Sequence, residues 1–154
     1  MCGRFACWED FVRVSKAFEL EGPVPLFGPR YNLAPTQDAL VILDASPREA
    51  SVLRWGLVPS WAKDPSVGSR MINARAETLA EKPSFKRLVQ RRRCVVIANA
   101  FYEWKTTGTK KTPFMITTRD GLFCMAGLWD EWHSPDGTLL RTFTIITASP
   151  NKTM

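Results

Sequence analysis

Apolar residues recur along this chain in two rhythms. In "WEDFVRVSKAFEL" (8–20), Phe11, Val14 and Phe18 fall on one side of a 3.6-residue winding. That spacing predicts a first helix, ended by the Gly22-Pro23 break. The other apolar runs are short, rich in β-branched and aromatic residues, and bounded by turn formers. They predict strands in "ALVILDA" (39–45) and "SVLRWGLV" (51–58), with a turn around Pro47. Further strands are expected in "CVVIANAFYEW" (94–104) and "PFMITT" (113–118), paired as a hairpin across "KTTGTKKT". "LFCMAGLWDEW" (122–132) and "LLRTFTIITAS" (139–149) complete the set. Two stretches have neither rhythm. "GPVPLFGPRYNLAPTQ" (22–37) reads as a long ordered loop, and "PSWAKDPSVGSRMINARAET" (59–78) as a second irregular segment. "PSFKRLVQRRR" (83–93) predicts a short helix with a proline in its first turn. Helices and strands are segregated rather than alternating, so the chain reads as α+β and β-rich, without a doubly wound parallel sheet.

Composition narrows this picture. A chain of 154 residues reads as one domain able to bury a core, and 45% apolar with 23% charged residues is ordinary for a folded protein. No apolar run is long enough to span a bilayer, and Arg4, Trp8, Glu9 and Asp10 interrupt any secretory leader. The expected compartment is therefore cytoplasmic. The net charge of +6 favours an anionic partner, nucleic acid being the commonest, although a basic soluble protein also fits. The four cysteines, at 2, 7, 94 and 124, include no Cys-x-x-Cys pair, and His133 is the sole histidine. A zinc site is not expected. Cys94 and Cys124 lie in apolar runs and are expected as buried core thiols.

Three places break the plain alternation. In "MINARAET", Asn73, Arg75 and Glu77 stand at every second position, so an extended chain points them to one face; a solvated edge strand would look the same. In "ANAFYEW", Glu103 closes a nearly continuous apolar strand. A carboxylate there sits at a rim or in a partly dry pocket suited to proton transfer. The six tryptophans are expected mostly in the core, but Trp61 lies in an irregular loop beside Lys63, and Trp104 follows Glu103. Exposed aromatics among basic residues are what a splayed single strand needs. Arg91, Arg92 and Arg93 have a structural explanation, as cations at a helix C-terminus. His133, in the turn-like "WHSPDG", is not expected to be catalytic.

The N-terminal "MCGRFA" raises a separate possibility. If Met1 is removed, Cys2 carries an α-amine and a thiol on adjacent carbons, a 1,2-aminothiol that no internal cysteine offers.

Taken in order, "MCGRFA", "RYNLAPTQ", "WGLVPSWAKD", "INARAET" and "ANAFYEWK" resemble the signature segments of the SOS response-associated peptidase (SRAP) family, and "GLWDEW" and "FTIITASPN" resemble its following strands. The resemblance covers essentially the whole chain. It implies a mainly antiparallel, barrel-like sheet with a few short helices. It also implies a sensor of abasic sites in single-stranded DNA, in which Cys2, exposed by removal of Met1, forms a thiazolidine with the sugar aldehyde. Catalytic roles then fall on Cys2, Asn73 and Glu103. DNA contacts fall on Arg4, Asn32, Pro35, Trp61, Arg75 and Trp104. No cofactor and no metal are implied, and the partner is single-stranded DNA, with the protein as a monomer, cytoplasmic and nucleoid-associated when DNA is damaged. Self-removal of Met1 and lyase-like chemistry belong to the same expectation. Family members carry a histidine in a segment beyond the equivalent of Met154, so the chain is expected to be a fragment. Two other readings stay open on the residues alone: a cysteine peptidase with Cys2 as nucleophile, and a non-covalent single-strand-binding module in which Cys2 is incidental.

Overall fold

A computed structural model describes residues 2–45 and 47–149, without the side chain of Phe11. Met1, on whose removal the aminothiol depends, lies outside the described residues. The strands are β1 (Phe5–Cys7), β2 (Arg30–Leu33), β3 (Asp38–Leu43), β4 (Glu49–Trp55), β5 (Asn73–Arg75), β6 (Arg93–Ala98), β7 (Ala100–Thr107), β8 (Lys110–Ile116), β9 (Phe123–His133) and β10 (Leu139–Thr147). The helices are α1 (Phe11–Phe18), α2 (Pro83–Lys86) and α3 (Leu88–Arg91), with 3-10 turns at Pro65–Arg70 and Ala76–Thr78.

Five strands form a closed barrel in the order β4-β3-β6-β9-β10. Its neighbours are antiparallel except at the seam, where β10 runs parallel to β4 with Thr142 opposite Arg54 and Phe143 opposite Trp55. Farther along β10, β5 takes over as the parallel neighbour, with Asn73 opposite Ile145 and Arg75 opposite Thr147. β10 is thus flanked by β4 over one part of its length and by β5 over another. The barrel-like expectation holds, and closure hides edges that would otherwise be exposed. Inward side chains of the β-branched runs fill the interior: Val41, Leu53, Trp55, Val96, Phe143 and Ile145 are all buried. A second, four-stranded sheet follows the order β2-β1-β7-β8.

Several boundaries differ from expectation for identifiable reasons. The first helix is shorter than predicted. Asp10 caps it by accepting the Arg13 N–H at 2.9 Å, and Glu19 ends it in the left-handed region (φ 52°), ahead of Gly22-Pro23. The segment 22–37 is not entirely loop, because Arg30–Leu33 pairs antiparallel with β1. The helix over 83–93 is two single turns, and Arg93 belongs to β6. Arg91 ends α3 and Arg92 caps it while stacking on Trp129, 4.1 Å from the ring centroid; Arg93 lies outside the helix and pairs with Asp44 at 2.6 Å.

The largest correction concerns 94–104. That run is two strands in two sheets, broken at Asn99. The Asn99 side chain is 1% exposed and bonds three neighbours: its Oδ1 accepts the Trp8 N–H, and its Nδ2 donates to Glu9 Oε2 and the Gly121 carbonyl. A buried amide with its hydrogen bonds met supports a local departure from strand geometry. Cys94 is buried as expected, but Cys124 is exposed. Glu77 does not share a face with Asn73 and Arg75. It sits in the 3-10 turn, where its carboxylate accepts the Ser149 N–H and hydroxyl at 2.9 Å each.

Candidate functional site

The N-terminal run "CGRF" leads into β1, and β1 is held between β2 and β7. This pairing sets Cys2 close to β7, since the Tyr102 N–H donates to the Arg4 carbonyl at 2.9 Å. Cys2 is 8% exposed, yet it lines a cleft of about 830 Å³ together with Arg75, Glu103 and Trp104. Sequence positions 2, 75, 103 and 104 thus meet at one wall. The rest of the lining is mostly apolar and comes from Phe101, Phe114, Phe123, Met125, Ile145 and Ile146.

Asn73 is placed by the parallel pairing of β5 with β10. Its Nδ2 donates to the Cys2 carbonyl at 2.8 Å and fixes the main chain of the residue that would carry the reactive groups. Its Oδ1 is buried with no hydrogen-bond partner among the described residues. A buried acceptor left unmet costs about 1–3 kcal/mol, which favours any ligand that brings a donor there. Glu103 sits on β7 opposite Phe114 of β8. Burial pushes the Cys2 thiol up to about 11, the main chain at Arg4 draws it partly back, and the charge of Glu103 adds to the rise. At neutral pH the sulfur is therefore a thiol.

The other predicted contacts sit apart from this cleft wall. Arg4 Nη1 donates to Asn32 Oδ1 at 2.9 Å. The β2 strand is tied further by Tyr102, whose hydroxyl donates to the Tyr31 carbonyl at 2.8 Å, and by stacking of Tyr31 on Trp8. Pro35 lies in the tight turn after β2, where the Ala34 N–H donates to Gln37 Oε1 and the Gln37 N–H to the Ala34 carbonyl. Trp61 lines a different cleft. Of the six tryptophans, Trp55 and Trp132 are buried, and Trp61 and Trp104 stand out at 65% and 45% exposed. Sequence reading missed the apolar wall and Lys105. The signal was the alternation within β7, where Phe101, Glu103 and Lys105 all line the cleft.

Among the described residues, no group of three or more His, Cys, Asp or Glu side chains is arranged to hold a metal ion. No helix of the described residues is long and apolar enough to cross a membrane.

Comparison with known proteins adds four findings. The family pattern "SOS response associated peptidase (SRAP)" matches residues 1–154. The chain is 45% identical over 159 residues to the abasic site processing protein YoqW of Bacillus subtilis, with 100% of this chain and 71% of that protein covered. It is 32% identical over 199 residues to the abasic site processing protein HMCES of Xenopus tropicalis, covering 100% of this chain and 59% of that protein. A crystal structure of a protein from Bacteroides thetaiotaomicron superposes with a TM-score of 0.89 at 28% identity, over 99% of this chain and 70% of that one.

Proposed function

The chain belongs to the SOS response associated peptidase family, and from that premise we propose that it captures abasic sites in single-stranded DNA through Cys2. Relatives named for abasic site processing support the substrate class. The single observation that carries the reading is the meeting of Cys2, Glu103, Arg75 and Trp104 at one cleft, with Asn73 bonded to the Cys2 carbonyl.

The chemistry starts with removal of Met1, which the chain performs on itself. The freed α-amine, with an ordinary pKa of about 8, is partly neutral at pH 7 and attacks the sugar aldehyde. The carbinolamine loses water to give an imine. The thiol of the same residue then adds across the C=N bond: carbon–sulfur bond formation consumes the π bond, and the thiol proton ends on nitrogen. One water leaves overall, with no oxidant or reductant. Ring closure is intramolecular, with effective molarities on the order of 10⁵ M or more. The ring has no C=N bond left to hydrolyse, so the adduct persists. Glu103 moves the protons, and the unmet Oδ1 of Asn73 accepts from the amine or a sugar hydroxyl. Arg75 holds a flanking phosphate, and Trp104 covers the face a base would have stacked on. Lyase-like strand chemistry would use the same imine.

The test mixes purified chain with abasic single-stranded DNA and reads a band that survives heat and denaturant. The expected result is a heat-stable crosslink, lost in Cys2→Ala and in a chain with an N-terminal tag. A tagged chain that crosslinks as well as the untagged one would rule the aminothiol out. Cleavage of an unrelated peptide in trans would favour a peptidase instead.

A further inference from the structure

A second cleft, of about 540 Å³, lies on the outside of the barrel between α3, β9 and the loop that carries Trp61. Arg87 and Arg91 line it, one helical turn apart and both exposed. Neither has an ion-pair partner among the described residues. The acids of the same cleft are already engaged. Asp130 accepts main-chain N–H groups from Ser60 and Glu131, at 2.8 and 2.9 Å. Glu131 is shared between Arg92 and Arg141, at 3.2 and 3.0 Å. Among the described residues, the cleft therefore presents two guanidinium groups without an ion-pair partner, together with the Asp130 carboxylate, which only main-chain N–H groups contact. Beside them stands Trp61, a large aromatic ring 65% exposed.

The main chain on either side of Trp61 is held in place. Its loop is fastened to β9 by the Ser60 N–H on Asp130 Oδ2 and by Trp132 Nε1, which donates to the Ala62 carbonyl at 2.7 Å. An exposed ring on a fastened loop loses little freedom when a flat ligand stacks on it. Two cations one helical turn apart, next to an exposed aromatic ring, match the repeating chemistry of a single strand: phosphate, phosphate, base.

We propose that this cleft is a second DNA-docking site, which holds undamaged single strand leading away from the lesion. Arg87 and Arg91 take two phosphates beside Trp61, whose contact with DNA the family resemblance already implies and which here stacks a base. The inference rests on the reading that the chain handles single-stranded DNA, and extends it to a surface that shares no lining residue with the Cys2 cleft. Its role is to add affinity through intact nucleotides, so that the chain stays on a strand before reaching a lesion and remains oriented when it does.

The experiment uses the full chain and undamaged DNA, so its outcome does not depend on crosslinking. Binding of a fluorescent strand of about 30 nucleotides and one of about 5, near the smallest single-strand footprint, is measured across a salt series. The doubly substituted Arg87→Gln/Arg91→Gln chain should lower the salt slope on the longer strand by about 1.4, since each single-strand phosphate contact contributes about 0.7. The advantage of the longer strand over the shorter should shrink with it. Arg87→Lys/Arg91→Lys, which keeps both charges, should restore the slope. Trp61→Ala should weaken binding of the longer strand by between about 5- and 150-fold, leaving the slope in place. A double Gln chain with an unchanged slope, or one that loses both strands equally, overturns the proposal. A chain that docks DNA in this way but never crosslinks abasic strands would sink the Cys2 reading and leave this cleft standing.

Discussion

Replacing Asn99 with alanine should unfasten the two sheets from each other. Asn99 sits at the break where the chain leaves the barrel at Ala98 and enters the second sheet at Ala100. Its side chain satisfies the Trp8 N–H at 2.8 Å, Glu9 Oε2 at 2.8 Å and the Gly121 carbonyl. Alanine supplies none of these. A stranded buried polar group costs about 1–3 kcal/mol. The Trp8 N–H and the Gly121 carbonyl are only part-buried, which places each near the low end. Glu9 keeps Arg13 at 3.0 Å, so its loss is also moderate. The three together come to about 3 kcal/mol. In a domain of this size each kcal/mol moves Tm by about 2–4 °C, so a fall of about 6–12 °C is expected. Urea unfolding should show a lower midpoint with an unchanged slope. Asn99→Asp should lose at least as much at neutral pH, because it sets an acceptor against the Glu9 carboxylate and the Gly121 carbonyl. If Asn99→Ala melts within about 2 °C of the parent, the buried amide does not hold the junction and the reasoning is wrong.

Gly56→Ala should cost about 2–4 kcal/mol, because φ is +121° and a Cβ would stand 2.6 Å from the Gly68 carbonyl oxygen; a thermal melt checks it, and a neutral result would refute the close approach. Burial pushes the Cys94 thiol up to about 12, whereas the unfolded thiol ionises near 9. The folded state thus binds the extra proton between those values, and stability is full below about pH 9 and falls above it by about 1.4 kcal/mol per pH unit. Relative to its own stability at pH 8, Cys94→Ala should fall less steeply across this window. Glu103→Gln should slow crosslinking by about 10²–10⁴-fold while reversible binding of the same strand weakens far less; equal losses would reduce Glu103 to a contact residue.

The local pattern was enough to find most strands, because a half-buried strand writes its period directly into the chain. "ALVILDA", "LFCMAGLWDEW" and "LLRTFTIITAS" correspond to β3, β9 and β10 within a few residues. The same pattern isolated Glu103 and singled out Trp61 and Trp104, since a charge or large ring out of rhythm needs no neighbour to be noticed. The N-terminal cysteine and the ordered motifs pointed to the chemistry. Long-range pairing decided what the pattern could not. Phe5–Cys7 and Arg30–Leu33 are too short and irregular to declare themselves, and become strands through pairing: β2 with β1, and β1 also with β7. The run 94–104 looks uniform because both halves are apolar, and only the contacts of Asn99 with Trp8, Glu9 and Gly121 divide it between two sheets. The parallel seam of β10 with β4 and β5 joins segments far apart in the chain, and it is this seam that brings Asn73 to the Cys2 carbonyl. Separation of Trp61 from Cys2 into different clefts has the same origin: neighbouring motifs in a sequence carry no information about which side of a closed barrel each will face.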